Sequence, residues 1–331
     1  MSRSAPLTPG LSTAQSARLP VLLLAAAVCL AGYFLPRLLE GGHLQSIVNN
    51  GLITGILALG VAFVMHQSGL VLFGIATFYG AAAYICAIAA NTFGLSAAQG
   101  VLLAVTLTTA LAFGIGAVIV RVQPLAFMMI CLSLGELMRH LVGLPGLRSY
   151  TGGTDGMVFM AEGSLFGIDA MEMLDPGAIW PLIWSAVWLA GAGFYAVAVS
   201  RYGTRLRAIT ENEERMRFCG FNTYWPRVLT FTATGFVASL AGVLQVFATG
   251  LASPEMFGLI TSTNALLSAI TGGISSVAGP ILGGVVYTWA IAEFGALGFS
   301  QLFTGIAVIL VVLLIPRGLL PVLRRMLTKQ G

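Results

Sequence analysis

The feature that most constrains this chain is a series of long apolar runs, each about 16–24 residues, that recur along most of its length. The runs show no alternation of apolar and polar residues, so they are not the strands of a membrane barrel. Only 8% of the 331 residues are Asp, Glu, Lys or Arg, against roughly 25% in soluble domains. In hydrocarbon every backbone polar group needs an internal partner, which restricts such segments to helices. We therefore predict an all-α, polytopic membrane protein.

A length of about 20 residues per crossing predicts about ten transmembrane helices, some of them short or broken by glycine. The chain then divides into a cytoplasmic N-terminal tail (1–19), a transmembrane domain (20–316) and a cytoplasmic C-terminal tail (317–331). The predicted spans are 20–36, 47–66, 71–91, 97–120, 123–142, 179–199, 228–250, 259–273, 280–296 and 301–316.

The distribution of charge predicts how these helices are oriented. Segment 148–177 is acidic and is predicted to be an external loop, whereas 200–227 is rich in arginine and is predicted to be cytoplasmic. Basic residues gather in short cytoplasmic loops, so the arginines near both ends of the chain place both termini in the cytoplasm as well. The same rule accounts for the net charge of +4, and no nucleic-acid partner is expected.

The predicted cytoplasmic loop concentrates charge in an otherwise apolar chain. Between residues 201 and 227 lie six of the 16 basic residues and three of the 12 acidic ones. A solvated amphipathic linker is one interpretation of this pattern. The other is a docking element, in which a rigid helix presents charges and an apolar ridge, formed by Leu206, Ile209 and Met216, to a soluble partner.

Local spacings predict one or two short helices in this loop. Thr210 and Glu213 are spaced as a capping box. Glutamate and arginine are spaced as favourable i,i+4 ion pairs at Glu211→Arg215 and at Glu213→Arg217. Gly220 suits the C-terminal end of a helix.

The chain lacks the residues that would let it bind ATP through a P-loop. Its single lysine is Lys329, and Gln330 follows it, whereas a P-loop requires G-x-x-x-x-G-K-[ST]. No cofactor is therefore expected on this chain, and any ATP and magnesium would be bound by separate ATPase subunits. The cysteines are scattered and the histidines dispersed, so neither a metal site nor an enzyme active site is expected.

Several segments resemble the permeases of branched-chain amino acid ABC importers. Residues 205–222, RLRAITENEERMRFCGFN, resemble the cytoplasmic coupling-helix motif of that family. Other segments resemble the family in the same order, and the likeness runs from about residue 45 to 323: SGLVLFGIATFYGAAAY (68–84), LSLGELMRHLV with YTGGTDGM (132–157), AGVLQVFATGLASPEMF, ITGGISSVAGPILGG and IPRGLLPVL. Thr210, Ile75 and the pair Ser275–Ser276 depart from the residues that are usual there.

The resemblance implies an importer of the bacterial inner (plasma) membrane. This chain would be one of two related permeases, with two ATPase subunits beneath it and an extracytoplasmic solute-binding protein that delivers the ligand. The residues that the resemblance assigns to ATPase coupling are Arg205, Arg207, Glu211, Asn212, Glu213, Arg215 and Gly220.

Polar residues and paired glycines within or beside the spans are candidates for the translocation path. A charged pair such as Glu136 with Arg139 is costly in lipid, and it either holds helices together or lines an outer vestibule. Asn49, Asn50 and Gln245 are predicted to make hydrogen bonds between helices. The glycine pairs either make turns or expose backbone amides to the solute. The candidates are Phe78, Tyr84, Glu136, Thr151, Gly152, Gly153, Gly272 and Gly273.

The solute is not fixed by these residues. By resemblance, branched-chain amino acids are expected, and permeases similar to this one also move urea, short amides and some aromatic acids. An ion-coupled secondary carrier would share the number of spans, but it would give no reason for the charged helices of the cytoplasmic loop.

Overall fold

The computed structural model describes residues 32, 33, 42–160, 163–165, 167–295 and 305. Contacts divide the chain into residues 1–41 and a second unit that begins at Gly42. The predicted spans 20–36 and 301–316 and both predicted tails lie outside the described residues, apart from residues 32, 33 and 305.

The second unit is built from helices, and the predicted spans between residues 47 and 296 each coincide with one of them. Among the described residues, five helices are long and apolar enough to cross a membrane, namely α1 (Gly42–Ser68), α3 (Ala97–Ile119), α4 (Pro124–Val142), α6 (Pro176–Val199) and α9 (Tyr224–Thr249), and α2 (Ile75–Asn91) is a shorter apolar helix. A total of ten spans stays a prediction. The helices are α1 (Gly42–Ser68), α2 (Ile75–Asn91), α3 (Ala97–Ile119), α4 (Pro124–Val142), α5 (Arg148–Thr151), α6 (Pro176–Val199), α7 (Arg201–Glu211), α8 (Glu213–Phe218), α9 (Tyr224–Thr249), α10 (Leu259–Gly272) and α11 (Ala278–Gly295).

Helices α1 and α9 form the centre of the bundle. Helix α1 contacts α6, α9, α10 and α11, and α9 also contacts α2 and α3. Most of the apolar length of α1 and α9 is buried, whereas most residues of α3, α4 and α6 are partly or fully exposed. In a bilayer such exposed apolar faces pack against lipid or against other helices.

Small residues let α1 and α11 cross with their backbones in contact. A Cβ on Gly51 would lie 2.7 Å from Val285 Cα, and a Cβ on Gly284 would lie 2.5 Å from Gly55 Cα. Glycines four residues apart on one helix allow this close approach in membranes. The prediction that glycines serve helix packing is confirmed at this crossing.

Helix α2 begins later than the sequence predicts. The predicted span started at residue 71, but residues 69–74 are not helical and Gly69 has φ +65°. A Cβ on Gly74 would overlap the carbonyl oxygen of Cys131, so this stretch passes directly against α4. The helix starts at Ile75, and the N–H of Ala76 donates to the hydroxyl of Ser262 at 3.2 Å. Irregular backbone of this kind is tolerated in membranes where protein surrounds it.

The two ends of the bundle differ in charge and structure. One end, called the acidic end, comprises residues 143–175 and 250–258. It contains short antiparallel strands, which the all-α prediction did not include. Helices α6 and α9 connect the acidic end to the opposite end, called the basic end, where α7 and α8 lie. The strand pairs are β1 (Met157–Val158) with β4 (Leu251–Ala252), and β2 (Ser164–Leu165) with β3 (Ile168–Asp169).

Candidate functional site

A sharp turn between α6 and α7 brings the charged loop against the bundle. Ser200 has an extended backbone, and its hydroxyl oxygen accepts a hydrogen bond from Gly203 N at 3.3 Å, as a helix N-cap does. A Cβ on Gly203 would lie 2.5 Å from the carbonyl oxygens of Val197 and Ala198. Only glycine therefore fits where α7 folds back along the last turn of α6.

Two of the three residues of the apolar ridge predicted on this loop face the bundle, whereas the third, Met216 on α8, is partly exposed. Leu206 is fully buried and Ile209 is 2% exposed. The next residue, Thr210, donates its hydroxyl proton to the main-chain carbonyl of Gln67 at 2.8 Å, at the end of α1. The prediction that Leu206 and Ile209 are presented to a soluble partner is therefore wrong, because their burial is what anchors α7 to its own chain. The opposite, charged face of α7 is the one left open.

Asn212 separates the two short helices. Its backbone is extended, with φ −157°, and its side-chain oxygen accepts a hydrogen bond from Arg215 N at 2.9 Å, which makes it the N-cap of α8. The predicted capping box of Thr210 and Glu213 is wrong, because Thr210 lies inside α7. The break also puts Glu211 and Arg215 on different helices, and among the described side chains the predicted ion pair between them does not form.

Glu213 ties α8 to the start of α9. Its carboxylate accepts hydrogen bonds from Arg217 Nη2 and Arg227 Nη1, both at 2.7 Å, and from the Thr223 hydroxyl at 3.2 Å. The pair with Arg217 is the predicted i,i+4 pair and is confirmed. Burial opposes ionisation of Glu213, but the hydrogen bond and charge of Arg227, with the charge of Arg217, outweigh it and hold the pKa of this carboxyl below its ordinary value.

Gly220 follows the C-terminal end of α8 and closes it, as the sequence predicts. Gly220 has φ +80° and donates from its N–H to Arg217 O at 2.9 Å, while Phe221 N donates to Met216 O at 3.1 Å. These two bonds form a Schellman motif. Phe218, the last residue of α8, is 90% exposed. Phe218 was not predicted to be a functional residue, although an aromatic side chain at the end of a six-residue polar helix was a usable signal.

Except for Glu213, the charged residues assigned to ATPase coupling lie on the open face of the α7–α8 pair. Arg205, Glu211 and Arg215 are exposed and form no ion pair with any described residue. Arg207 is also exposed, and its Nη2 donates to Ala198 O at 2.8 Å, which satisfies a carbonyl at the end of α6. Unpaired charges of both signs on an anchored helix pair suit contact with a charged protein surface. Their coupling role stays a prediction.

Two aromatic candidates for the translocation path lie in the interior. Phe78 is 1% exposed and meets the ring of Phe231 edge-on, with ring centroids 5.4 Å apart. Tyr84 is buried and stacks on Phe257 at 5.5 Å. The Tyr84 hydroxyl has no hydrogen-bond partner among the described residues. Both positions are part of the packed core, and a role in translocation stays a prediction.

Polar side chains within the spans make the predicted bonds between helices. Glu136 and Arg139 form an ion pair at 2.7 Å on α4, and Glu136 also accepts from Leu259 N at 3.4 Å, at the start of α10. Gln245 Nε2 donates to Asn50 Oδ1 at 3.2 Å and joins α9 to α1. Asn49 similarly donates to the carbonyl oxygen of the first residue of α6 at 2.9 Å. The Glu136–Arg139 pair remains partly exposed.

The segment with Thr151, Gly152 and Gly153 makes a turn at the acidic end. The Thr151 hydroxyl donates to Val142 O at 2.7 Å, which fastens the turn to the end of α4. Gly152 and Gly153 have φ +74° and +69°, and a Cβ on Gly152 would overlap the carbonyl oxygen of Gly156. The left-handed backbone of both glycines follows from this turn.

The glycine pair at the end of α10 also makes a turn. A Cβ on Gly272 would overlap the carbonyl oxygen of Gly279, and Gly273 has φ +105°. Close packing of α10 on α11 therefore accounts for glycine at 272, and the positive φ accounts for glycine at 273. Contact of either glycine pair with a solute stays a prediction.

An open cleft of about 300 Å³ at the acidic end was not predicted from the sequence. It lies where the end of α9, strand β4 and the start of α10 meet α2. Of its residues only Gln245 was singled out from the sequence, because the residues of the cleft come from segments far apart in the chain. The lining residues are Tyr79, Gln245, Thr249, Leu251, Ser253, Glu255, Met256 and Thr261.

Comparison with known proteins gives a family match for this chain. The family described as branched-chain amino acid transport system / permease component matches residues 44–315. The high-affinity branched-chain amino acid transport system permease protein LivM of Salmonella typhimurium is 26% identical over 81% of this chain and 68% of its own length, and LivM of Escherichia coli is 25% identical over the same shares. The ribose import permease protein RbsC of Escherichia coli is 24% identical over 89% of this chain and 90% of its own. No solved structure matches the chain.

The family match covers the whole of the described bundle from Leu44 onward, including the α7–α8 pair and the cleft. The long apolar helices agree with it, since they make the chain a multi-pass membrane protein. The chain belongs to the branched-chain amino acid transport system / permease component family.

Proposed function

We propose that this chain is one of two related permease subunits of an ATP-driven importer in the bacterial inner membrane. The solute is a branched-chain amino acid that an external solute-binding protein delivers. The solute class is supported by the names of the LivM relatives, which are branched-chain amino acid transport permeases. About ten transmembrane helices, with both termini in the cytoplasm, belong to this proposal.

The observation that carries the proposal is the α7–α8 pair. Two apolar residues anchor α7 to the bundle, and Glu213 ties α8 to α9, while charges of both signs and Phe218 remain open. Two ATPase subunits bind ATP and magnesium and contact this open face. When they close on ATP, the anchored pair transmits the movement to α1, α6 and α9, and the bundle alternates between outward-facing and inward-facing states. The chain itself binds no cofactor.

The orientation of the bundle follows from its charge. The basic end carries the arginines of the α7–α8 pair and faces the cytoplasm, as short basic loops do. The acidic end then faces outward and receives the solute from the binding protein. The cleft at that end lies where a delivered solute would first meet the permease.

Reconstitution tests this function directly. Liposomes that contain the two permeases and the two ATPases, supplied with the binding protein, should take up labelled leucine when ATP is present on the ATPase side. The purified chain alone should hydrolyse no ATP. Uphill uptake by the chain alone on an ion gradient would contradict the proposal and favour a secondary carrier.

A sugar is the second candidate solute, because the match to the ribose import permease covers a larger share of both proteins. The same liposomes distinguish the two, since excess unlabelled ribose should leave leucine uptake unchanged. Urea, short amides and aromatic acids, expected from the resemblance as alternatives, belong in the same competition series.

A further inference from the structure

We infer that the cleft at the acidic end receives the ammonium group of the transported solute, with Glu255 as its counter-ion. This inference rests on the proposed function, because it makes the cleft part of the outer mouth of the path. It adds the residues that recognise the solute and the chemical group that they recognise.

The size and position of the cleft suit a small metabolite. Its volume of about 300 Å³ lies at the lower end of the range of small-molecule sites, roughly 300–1,000 Å³. Thr249 is the last residue of α9 and Leu251 lies in β4, whereas Tyr79 lies on the second turn of α2. Asn91 ends α2 twelve residues later, or roughly 18 Å along the helix axis. The cleft therefore leads from the acidic end into the bundle.

Glu255 is the only residue of the cleft lining that carries a formal charge. Its main chain is fixed, because its carbonyl oxygen accepts from Gly258 N at 2.9 Å and from the Thr261 hydroxyl at 3.0 Å. Its carboxylate has no ion pair with any described residue. A fixed backbone with a free carboxylate in a cleft offers a counter-ion to a cationic ligand group.

Neutral groups around Glu255 complement the rest of an amino acid. The Gln245 amide nitrogen is occupied by Asn50, so the amide oxygen is left as a second acceptor for an ammonium group. The hydroxyls of Tyr79 and Ser253 form no hydrogen bond with a described residue, and they can donate to a carboxylate.

The remaining contacts of the cleft are apolar or already satisfied. Leu251 and Met256 supply apolar surface, and the flexible thioether of Met256 can adapt to branched side chains of different shape. The Thr249 hydroxyl donates to Gln245 O at 2.8 Å, so its proton is not available to a solute. The lining thus fits a zwitterion with a small apolar side chain.

This arrangement separates the solute classes that the sequence leaves open. A carboxylic acid without an amine would bring a negative charge beside Glu255, and no basic side chain lines the described cleft to offset it. A neutral sugar or amide can donate hydrogen bonds to the carboxylate but brings no positive charge to balance it. An amino acid is the class that uses both the charge and the hydroxyl donors.

The test is leucine uptake by the complete importer in liposomes, with Glu255→Gln and Tyr79→Phe compared with wild type. Glu255→Gln should raise the half-saturating leucine concentration roughly tenfold or more, the loss expected for a charge-assisted contact. Tyr79→Phe should raise it severalfold, since only the hydroxyl is lost. The matched control is Glu172→Gln, which removes an exposed carboxylate from the same end outside the cleft and should leave uptake unchanged.

Competition identifies the recognised group in wild type. Excess 3-methylbutylamine, which keeps the ammonium group of leucine, should compete for uptake, whereas 4-methylpentanoate, which keeps only the carboxylate, should not. Unchanged leucine kinetics in Glu255→Gln would overturn the inference but would not contradict the proposed importer function. An equal loss in Glu172→Gln would also overturn it, because the effect would then belong to the acidic end as a whole. A wild-type importer that takes up no amino acid would reject the proposed solute and this inference together.

Discussion

The hydroxyl of Thr210 on α7 donates to the main-chain carbonyl of Gln67, 2.8 Å away at the end of α1. The contact continues into the irregular segment that follows, because a Cβ on Gly69 would lie 2.8 Å from the Thr210 methyl group. That segment leads into α2, which carries Tyr79 of the cleft. The α7–α8 pair and the cleft are thus joined through the connection between α1 and α2, and this connection can be tested as a route of coupling.

Replacement of Thr210 by valine should weaken coupling while the fold is kept. Valine has the same shape and loses only the hydroxyl, and a single hydrogen bond contributes about 0.5–1.5 kcal/mol. We expect leucine uptake per ATP hydrolysed to fall by up to about tenfold, measured in the reconstituted importer.

Two variants make the Thr210 experiment specific. Thr210→Ser keeps the hydroxyl and should restore coupling. Thr204→Val removes a hydroxyl that donates only to Ser200 O, one turn back in the same exposed stretch, and should have no effect. If Thr210→Val couples as well as wild type, the bond to Gln67 has no part in transmission.

Gly203→Ala should destabilise the protein because the turn between α6 and α7 has no room for a methyl group. The new Cβ would lie 2.5 Å from two carbonyl oxygens of the main chain, which cannot move aside as a side chain would. Overpacking of this kind costs about 1–3 kcal/mol. Thermal unfolding in detergent measures it, with Gly193→Ala as the control, since nothing lies within 4 Å of a Cβ there. Equal midpoints for the two variants would refute the steric argument.

Local patterns in the sequence predicted helices and their ends well where neighbours along the chain decide the structure. The apolar runs located the described spans, and Gly220 was identified as the C-terminal cap of α8 because a left-handed residue is needed just after the helix. The late start of α2 was missed because its cause is distant: Gly74 passes the backbone of α4, and Ser262 of α10 binds the first turn. Tertiary contacts of that kind leave no periodic signal in the segment itself.

In the candidate sites, too, features set by neighbouring residues were predicted, and features set by distant contacts were missed. The Glu213–Arg217 pair followed from i,i+4 spacing, whereas Arg227, the second partner of Glu213, lies fourteen residues from it and across a turn. Amphipathic spacing identified Leu206 and Ile209 as a ridge, but spacing alone does not say whether a ridge meets a partner or its own bundle. The cleft was missed because it gathers side chains from α2, α9 and α10.

Glu213→Gln should loosen the attachment of α8 to α9. A neutral amide cannot serve both arginines, and Arg227, whose side chain is 16% exposed, would lose its counter-ion. Hydrogen bonds to charged groups contribute about 1.5–3 kcal/mol, and a loss of about this size is expected in the free energy of unfolding at pH 7. Glu214→Gln is the matched control, since Glu214 is exposed and forms no ion pair with any described residue.

The contribution of Glu213 should depend on pH in a defined direction. Because the pKa of its carboxyl is lower in the folded protein than in the unfolded chain, its stabilising effect is fully present above the unfolded value of about 4.3. The effect is lost as the pH falls through the lower, folded value. The stability difference between wild type and Glu213→Gln should therefore be constant from pH 6 to 8 and shrink below about pH 4. A difference that grows on acidification would show that the carboxylate is not the stabilising form.

The native cysteines allow the proposed orientation to be tested with few changes. Cys219 is exposed at the end of α8, whereas Cys86 and Cys131 are buried. In a Cys29→Ser background, a membrane-impermeant maleimide should therefore leave Cys219 unlabelled in intact cells and label it once the membrane is opened. Asp169→Cys, at an exposed position of the acidic end, should show the reverse in a chain that also carries Cys219→Ser, with labelling in intact cells. Labelling of Cys219 from outside would invert the topology and remove the α7–α8 pair from the reach of any cytoplasmic ATPase.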